Sequence, residues 1–525
     1  MSKARNILFI MCDQLRADHL SCYGHKRLET PHIDALAARG TRFTRAYVQA
    51  PVCGPSRMSY YPGRYTLSHG ATWNFVPLPV GERTLGDYLR PAGLRVAVVG
   101  KTHHQSDVAG MQWLGLSPDD GIGKLIAAGG FEEYARDDGV HPDHNTPPDL
   151  AYNEYLRAQG YGGANPWHEW ANAGLDEQGE IASGWLLRNS RRATRLPEQF
   201  SETAYTTERA QSFITEQGDK PWCLHLSYIK PHWPYIAPAP YNDLYGPEDC
   251  QAPVRSEDER GPDANPIFRG FQEHPESLTF SRDEVRATVL PAYMGLIKQV
   301  DDHLGRLMAF LENSGRLDDT LIVFTADHGD YMGDHWQGEK EFMYEQGVKV
   351  PFIIADPSPG ARRGAVCDEL VEAIDLTPTF LEALGLPIPA HILEGHSLLP
   401  LLHGSDAKVR DAAFSELDYA IYPTARKLGM GPRDARMVMA CSKQFKLVHF
   451  GRDIPPQLFD LANDPLELAD RGRDPGAVYA GARADLYALI FDWMRARRNR
   501  IAMTDEAVDQ RPSPAAAGGV KIGIW

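Results

Sequence analysis

Five short runs of this chain are almost wholly apolar, at residues 7–12, 95–100, 223–228, 321–325 and 350–355. A strand with no polar side has no solvent face, so it belongs in the middle of a sheet covered on both sides. The segments between these runs carry helical spacing. TPHIDALAARG offers Thr30 as an N-cap, Pro31 at the first helical position and Gly40 as a stop. ERTLGDYLRPAG and the long stretch beginning EVRATVLPAYMG follow the same period, the second with a kink expected at Pro291. The alternation predicts an α/β unit over residues 1–402, a large, mainly parallel sheet sandwiched by helices. Past Leu402 the rhythm changes: AAFSEL, RMVMAC and KQFKLVHF are closely spaced strand candidates, followed by a helix over about 477–497. Residues 403–500 therefore read as a smaller α+β domain with an antiparallel sheet. Residues 501–525 read as an extended tail, a candidate contact in a homo-oligomer.

The formal charge of -16 sets a nucleic-acid backbone or an anionic membrane against the chain as a whole. A small anionic substrate would need a local cluster of cations. The start, MSKARNILFIMCDQ, has too short an apolar run for a signal peptide, and no stretch reaches the ~18 apolar residues that span a bilayer, so a cytoplasmic location is expected. The seven cysteines are scattered and odd in number, which points to neither a disulfide framework nor a zinc site.

In an open parallel sheet, ligands gather beyond the carboxyl ends of the strands. One such end delivers Asp13 and Gln14, and another Asp327 and His328. Brought together, these donors suit a divalent cation such as Ca²⁺ or Mn²⁺; taken singly, each aspartate is equally a helix cap. Lys101, His103 and His104 follow another strand, His232 a third, and Lys340 precedes a fourth. With Arg57 they would form a positive pocket for a tetrahedral oxyanion. Arg57 closes PVCGPSR, where Cys53 stands between Pro51 and Pro55. Cys53 is then either a small apolar filler or a nucleophile, after chemical modification in the second case.

CGPSRMSYYPGR fits the C-x-P-S-R…G-R signature of the type I sulfatases, and the chain resembles these enzymes and the related phosphonate monoester hydrolases of the alkaline phosphatase superfamily. DQLRADHLSCYG, GKTH, KPHWPY and TADHGDYMGDH extend the resemblance over most of the first 400 residues. It implies an alkaline phosphatase-like fold and conversion of Cys53 to Cα-formylglycine by a formylglycine-generating enzyme. The hydrated aldehyde then attacks sulfur or phosphorus with one oxygen, and its second hydroxyl expels the inorganic anion. Residue by residue, the resemblance assigns one divalent metal to Asp13, Gln14, the modified Cys53, Asp327 and His328. It places Arg57 and His103 against the diol, and Lys101, Lys340, His232 and Asn74 against the substrate, with a protonated His232 as general acid.

Gln14, Asp327-His328 and Asn74 follow the phosphonate hydrolase branch, whereas Lys101 and His103 follow the sulfatases. The expectation is a hydrolase of small anionic sulfate monoesters, with promiscuous phosphodiester and phosphonate cleavage. The alternatives are a phosphonate monoester hydrolase or phosphodiesterase, and a non-catalytic metal-binding protein with an unmodified Cys53. The Gly-, Pro- and Asp-rich segments near 104–200 and 240–280 are expected to shape the leaving-group pocket.

Overall fold

The computed structural model describes residues 4–451 and 453–511. Eight strands form the main sheet. They are β1 (Asn6–Cys12), β2 (Thr41–Tyr47), β3 (Arg95–Gly100), β4 (Glu132–Arg136), β7 (Trp222–Tyr228), β8 (Thr320–Ala326), β9 (Phe352–Ala355) and β10 (Ala365–Glu372), with β5 (Ala173–Leu175) and β6 (Ile181–Ser183) forming a separate ribbon. The order is β10-β2-β9-β8-β1-β7-β3-β4, and β9 alone runs against its neighbours. The central strands β1, β7 and β8 are buried along their whole length, as their unbroken apolar sequence requires. Sequence patterning misses three strands of this sheet: β4 and β10, which lie at its edges, and β2 beside β10, all of them only partly covered.

The helices that frame the two sheets are α1 (Pro31–Arg39), α2 (Cys53–Tyr60), α3 (Glu202–Gln217), α4 (Asp283–Asn313), α5 (Leu376–Ala383) and α6 (Ala477–Arg495), with shorter helices between them. Register assigns their sides. Phe9 pairs with His225, and its ring meets Tyr60 of α2 and Phe380 of α5. Cys12 pairs with Tyr228, whose hydroxyl meets Thr207 of α3 on the opposite face. α4 packs beside α1 and α3 and continues through Pro291 without a break. The cap of α1 differs from expectation: the Thr30 hydroxyl bonds Ser21 at 2.8 Å, and Asp301 of α4 accepts from the His32 and Ile33 N–H groups at 3.0 and 2.8 Å.

A second, antiparallel sheet joins β11 (Ala413–Asp418), β12 (Arg436–Cys441), β13 (Phe445–His449) and β14 (Gln457–Asp460) in sequence order. Helix α6 covers it, and Trp493 stacks on Phe414 at 4.6 Å. Of the expected tail, residues 512–525 lie outside the described residues. Among the described residues no helix is long and apolar enough to cross a membrane.

Candidate active site

The carboxyl ends of β1, β3, β7 and β8 meet at one point of the sheet edge. β1 delivers Asp13 and Gln14, and β8 delivers Asp327 and His328; all are fully buried. Gln14 turns through a left-handed φ of 63°, and His103, just past β3, through 45°. Such conformations cost of order 1–3 kcal/mol and persist where the surroundings fix them. For Gln14 that setting is Asp327, which accepts its N–H at 3.0 Å; for His103 it is Asp138, which accepts the N–H groups of Thr102 and His103 at 2.7 and 2.9 Å. Gly100 is required before that turn, because a Cβ there would stand 1.9 Å from the Ser227 carbonyl oxygen.

Cys53 opens α2, where partly unsatisfied N–H groups favour negative charge. Each following residue of its motif has a partner. A Cβ on Gly54 would come within 2.8 Å of Asn74 Oδ1, the atom that accepts the Gly54 N–H at 2.8 Å. Pro55 is tolerated in a first turn, where its missing N–H is not needed. Ser56 donates to the Asp327 carbonyl at 2.5 Å, and Arg57 Nε to the Asp327 carboxylate at 2.7 Å. Arg57 Nη1 is held by the Lys101 carbonyl and Ser227 Oγ, each at 2.8 Å. The motif is thus a fold device that fixes a helix N-terminus onto three strand ends.

Asp13, Cys53, Asp327 and His328 each offer one ligand atom, and these atoms all lie within 4.8 Å of one another. His328 Nε2 is 3.0 Å from Cys53 Sγ, 3.6 Å from Asp13 Oδ1 and 3.7 Å from Asp327 Oδ1. Arg57 and Lys101 already balance part of the charge of Asp327 and Asp13, and the mixed donor set of two carboxylates and an imidazole beside Cys53 fits a divalent cation. The Gln14 side chain is turned elsewhere: Oε1 accepts from Lys340 Nζ at 3.0 Å, and Nε2 donates to Tyr235 at 3.1 Å and to Asp330.

Cations line the opposite side. Lys101 pairs with Asp13, and Lys340 Nζ lies 3.4 Å from His232 Nε2. Burial alone would raise the Cys53 thiol, but Lys340, Lys101 and His328 hold it well below its ordinary value. His328 is lifted to about 9, because Asp327 and Cys53 outweigh its burial. His232 moves the other way: burial lowers it, and Lys340 and Lys101 add to the effect against Asp13. Its Nδ1 donates to the Trp233 carbonyl at 2.8 Å, so the neutral ring turns an unprotonated Nε2 toward Lys340. The sequence expectation of a protonated His232 therefore does not describe the free site.

Residues 5–386 match the family described as Sulfatase, and residues 333–483 match N-sulphoglucosamine sulphohydrolase, C-terminal. The chain belongs to the sulfatase family. It is 31% identical to a multifunctional alkaline phosphatase superfamily protein from Trinickia caryophylli, over 94% of this chain and 96% of that one. An arylsulfatase from Clostridium perfringens is 27% identical over 89% of each chain. Among solved structures, a phosphonate monoester hydrolase from Silicibacter pomeroyi superposes with a TM-score of 0.81 at 30% identity, over 96% of this chain and 98% of that one. This sulfatase-family hydrolase thus has relatives named for sulfur chemistry and for phosphorus chemistry.

The structure gathers every residue singled out in the sequence except His104, whose Nδ1 bonds the Ala127 carbonyl away from Cys53. It adds supports that patterning missed. Lys230 Nζ donates to the Pro234 carbonyl at 3.0 Å and to Asn172 at 3.2 Å, bracing the loop that carries His232. Asp138, Ser227 and Asp330 act in the same indirect way. Lys230 was within the quoted KPHWPY motif, where its buried ammonium is the signal; Asp138 and Ser227 carry none in a single sequence.

Proposed function

We propose that this enzyme hydrolyses sulfate monoesters of small alcohols or phenols, using Cys53 after its conversion to Cα-formylglycine by a separate modifying enzyme. The observation that carries this reading is the ring of Lys101, Lys340, His103 and His232 acting on Cys53. A sulfate monoester presents three non-bridging oxygens, and such a ring offers each of them a polar partner. A phosphonate monoester presents two and a carbon substituent, which would leave one of these polar partners without an oxygen.

A divalent ion, Ca²⁺ or Mn²⁺, would be held by Asp13, Asp327, His328 and the modified Cys53 and would supply positive charge at the nucleophile. Formylglycine at position 53 would supply, as its hydrate, one oxygen to act as the nucleophile toward sulfur and a second hydroxyl to release sulfate. Arg57, locked by Asp327, stays charged and fixes the direction of attack. Lys101 and Lys340 hold the sulfuryl oxygens. Burial is the main cause that disfavours the His232 proton, and anion binding between the lysines offsets the part that Lys340 and Lys101 add, which favours protonation of Nε2 for transfer to the departing alcohol. His103, in contact with Cys53, takes the proton of the second hydroxyl.

Phosphonate monoester or phosphodiester cleavage is the second reading, favoured by the 30% identity to a phosphonate monoester hydrolase and by Gln14, Asn74 and His328. Side-by-side turnover of an aryl sulfate and an aryl phosphonate monoester separates them. Sulfate is expected to be the faster substrate, and slower sulfate turnover reverses the order of the readings. The mass of the tryptic peptide of residues 46–57 tests the nucleophile: an aldehyde or its hydrate is expected, and a thiol throughout the native protein overturns the mechanism.

A further inference from the structure

Behind Trp233 lies a cavity of about 270 Å³ whose wall comprises Trp185, Trp233, Tyr235, Phe280, Glu276 and Glu339. Trp185 and Trp233 approach at 5.7 Å with planes inclined by 59°, and Tyr235 and Phe280 meet edge to face at 6.3 Å. Among the described residues the lining contains carboxylates and aromatic rings but no lysine, arginine or histidine. Its surroundings tie it to the reaction. The Trp233 ring stands 4.2 Å from the His232 ring and 5.8 Å from Lys340 Nζ, and its Nε1 donates to Glu339 at 3.1 Å. The wall also draws on Gly184–Leu187 on one side and on the short helix Pro275–Phe280 on the other.

We propose that this cavity receives the alcohol part of the ester and selects a positively charged one, a quaternary or tertiary ammonium group joined to the sulfate by a short linker. Ring faces attract a desolvated cation through their quadrupoles, and a quaternary ammonium group suits them because it needs no hydrogen-bond acceptor. Glu276 adds charge of the complementary sign, whereas Glu339 is tied to Lys340 at 3.3 Å and to Trp233 at 3.1 Å, and the Glu276 carboxylate opposes a second sulfate or a carboxylate on the substrate. The anion is therefore held by Lys101 and Lys340 while the cation sits across Trp233, and the neutral sum suits a pocket that bears both signs.

The inference rests on the sulfate-ester reading, and two measurements keep the two separable. In the first, tetramethylammonium chloride is titrated into the full-length enzyme and followed by tryptophan fluorescence. Saturable binding is expected, weakened about tenfold in Trp185→Leu and less in Glu276→Gln, an exposed position. No saturation beyond that of sodium chloride, or binding unchanged in both variants, overturns the proposal whatever the reaction proves to be. In the second, kcat/KM is compared for 2-(trimethylammonio)ethyl sulfate and its neutral isostere 3,3-dimethylbutyl sulfate. The cationic ester is expected to be about tenfold better, with the advantage shrinking in Glu276→Gln. Equal rates overturn the cation preference while leaving sulfatase activity intact. If neither sulfate reacts, the methylphosphonate monoesters of the same alcohols give the same ratio, and a ratio of one again overturns it.

Discussion

The strand-end half of the site and the cavity behind Trp233 differ in what holds them. Asp13, Lys101 and Asp327 each follow a strand of the central sheet, and Arg57 binds three of these strand ends together while itself fully buried. Trp185 stands on a turn and Glu276 on the first turn of the short surface helix Pro275–Phe280, and Glu276 is exposed. Strand ends repeat their geometry to within fractions of an ångström because neighbouring strands fix them, whereas loops tolerate change at little cost to the fold. Bond breaking needs the first property, and substrate choice exploits the second. Changes in the strand-end half should therefore affect all substrates, and changes near Trp233 should sort among them.

The largest effect belongs to the nucleophile. Cys53→Ala is expected to lower turnover of every sulfate ester by roughly 10⁴ or more, with thermal stability changed by no more than about 1–2 kcal/mol, since one small atom leaves a site rather than the core. Turnover that survives on any ester would place the chemistry elsewhere. His232→Ala comes next, and it lies where the halves join. Alkyl sulfates, which need a proton on the leaving oxygen, are expected to slow by about 10²–10³, and activated aryl sulfates by far less. Equal losses on both would make His232 a binding group only.

Legibility followed the same division. The buried strands β1, β7 and β8 are readable because a strand without a solvent face leaves an almost wholly apolar run, while β2, β4 and β10 are not, because half-covered strands carrying charged residues look like loops. The motif around Cys53 was readable as chemistry, but not the reason for its order; only the fold shows Gly54 clearing Asn74 and Ser56 bonding the Asp327 carbonyl. His232 was readable as a site residue, yet not its charge, which depends on burial and on Lys340, 108 residues away. The wall behind Trp233 has no local signal, because Gly184–Leu187 and Pro275–Phe280 acquire a shared meaning only once they face each other.

Acid should loosen the strand layer before the loops. His225 of β7, stacked on Phe9 at 4.4 Å beneath the site, is pushed by burial and by Arg57 down to about 3. The unfolded chain takes up that proton near pH 6.5 and the folded chain does not, so the stability is complete above 6.5 and is lost as pH falls from 6.5 toward 3. The slope is about 1.4 kcal/mol per pH unit, or roughly 2 kcal/mol by pH 5. In the 104–200 segment, His141 lies 2.6 Å from Asp137 and is raised despite its burial, so its contribution is fully present at low pH and fades as pH rises. Unfolding of His225→Phe between pH 7 and 5 should depend less steeply on pH than that of the unaltered chain. An identical slope would assign the acid loss to other groups.

The smallest effect tests whether the loop beside the chemistry is as firmly held as the strands. Lys230 is buried, and its ammonium gathers the Pro234 carbonyl, Asn172 Oδ1 and, at 3.5 Å, the His232 carbonyl, with Glu202 3.9 Å away. Its reach fixes where the His232 ring sits, but it touches no reacting atom. Lys230→Met alone would strand the Glu202 carboxylate, a loss worth about 3–5 kcal/mol of stability. The informative variant is therefore the double change Lys230→Met with Glu202→Gln, which removes both charges. About a tenfold fall in kcat for alkyl sulfates is expected, with KM and aryl turnover little altered, because only the placement of the proton donor is disturbed. A fall shared equally by aryl and alkyl esters would show that Lys230 supports the whole pocket rather than His232, and the loop would then belong with the strand ends it adjoins.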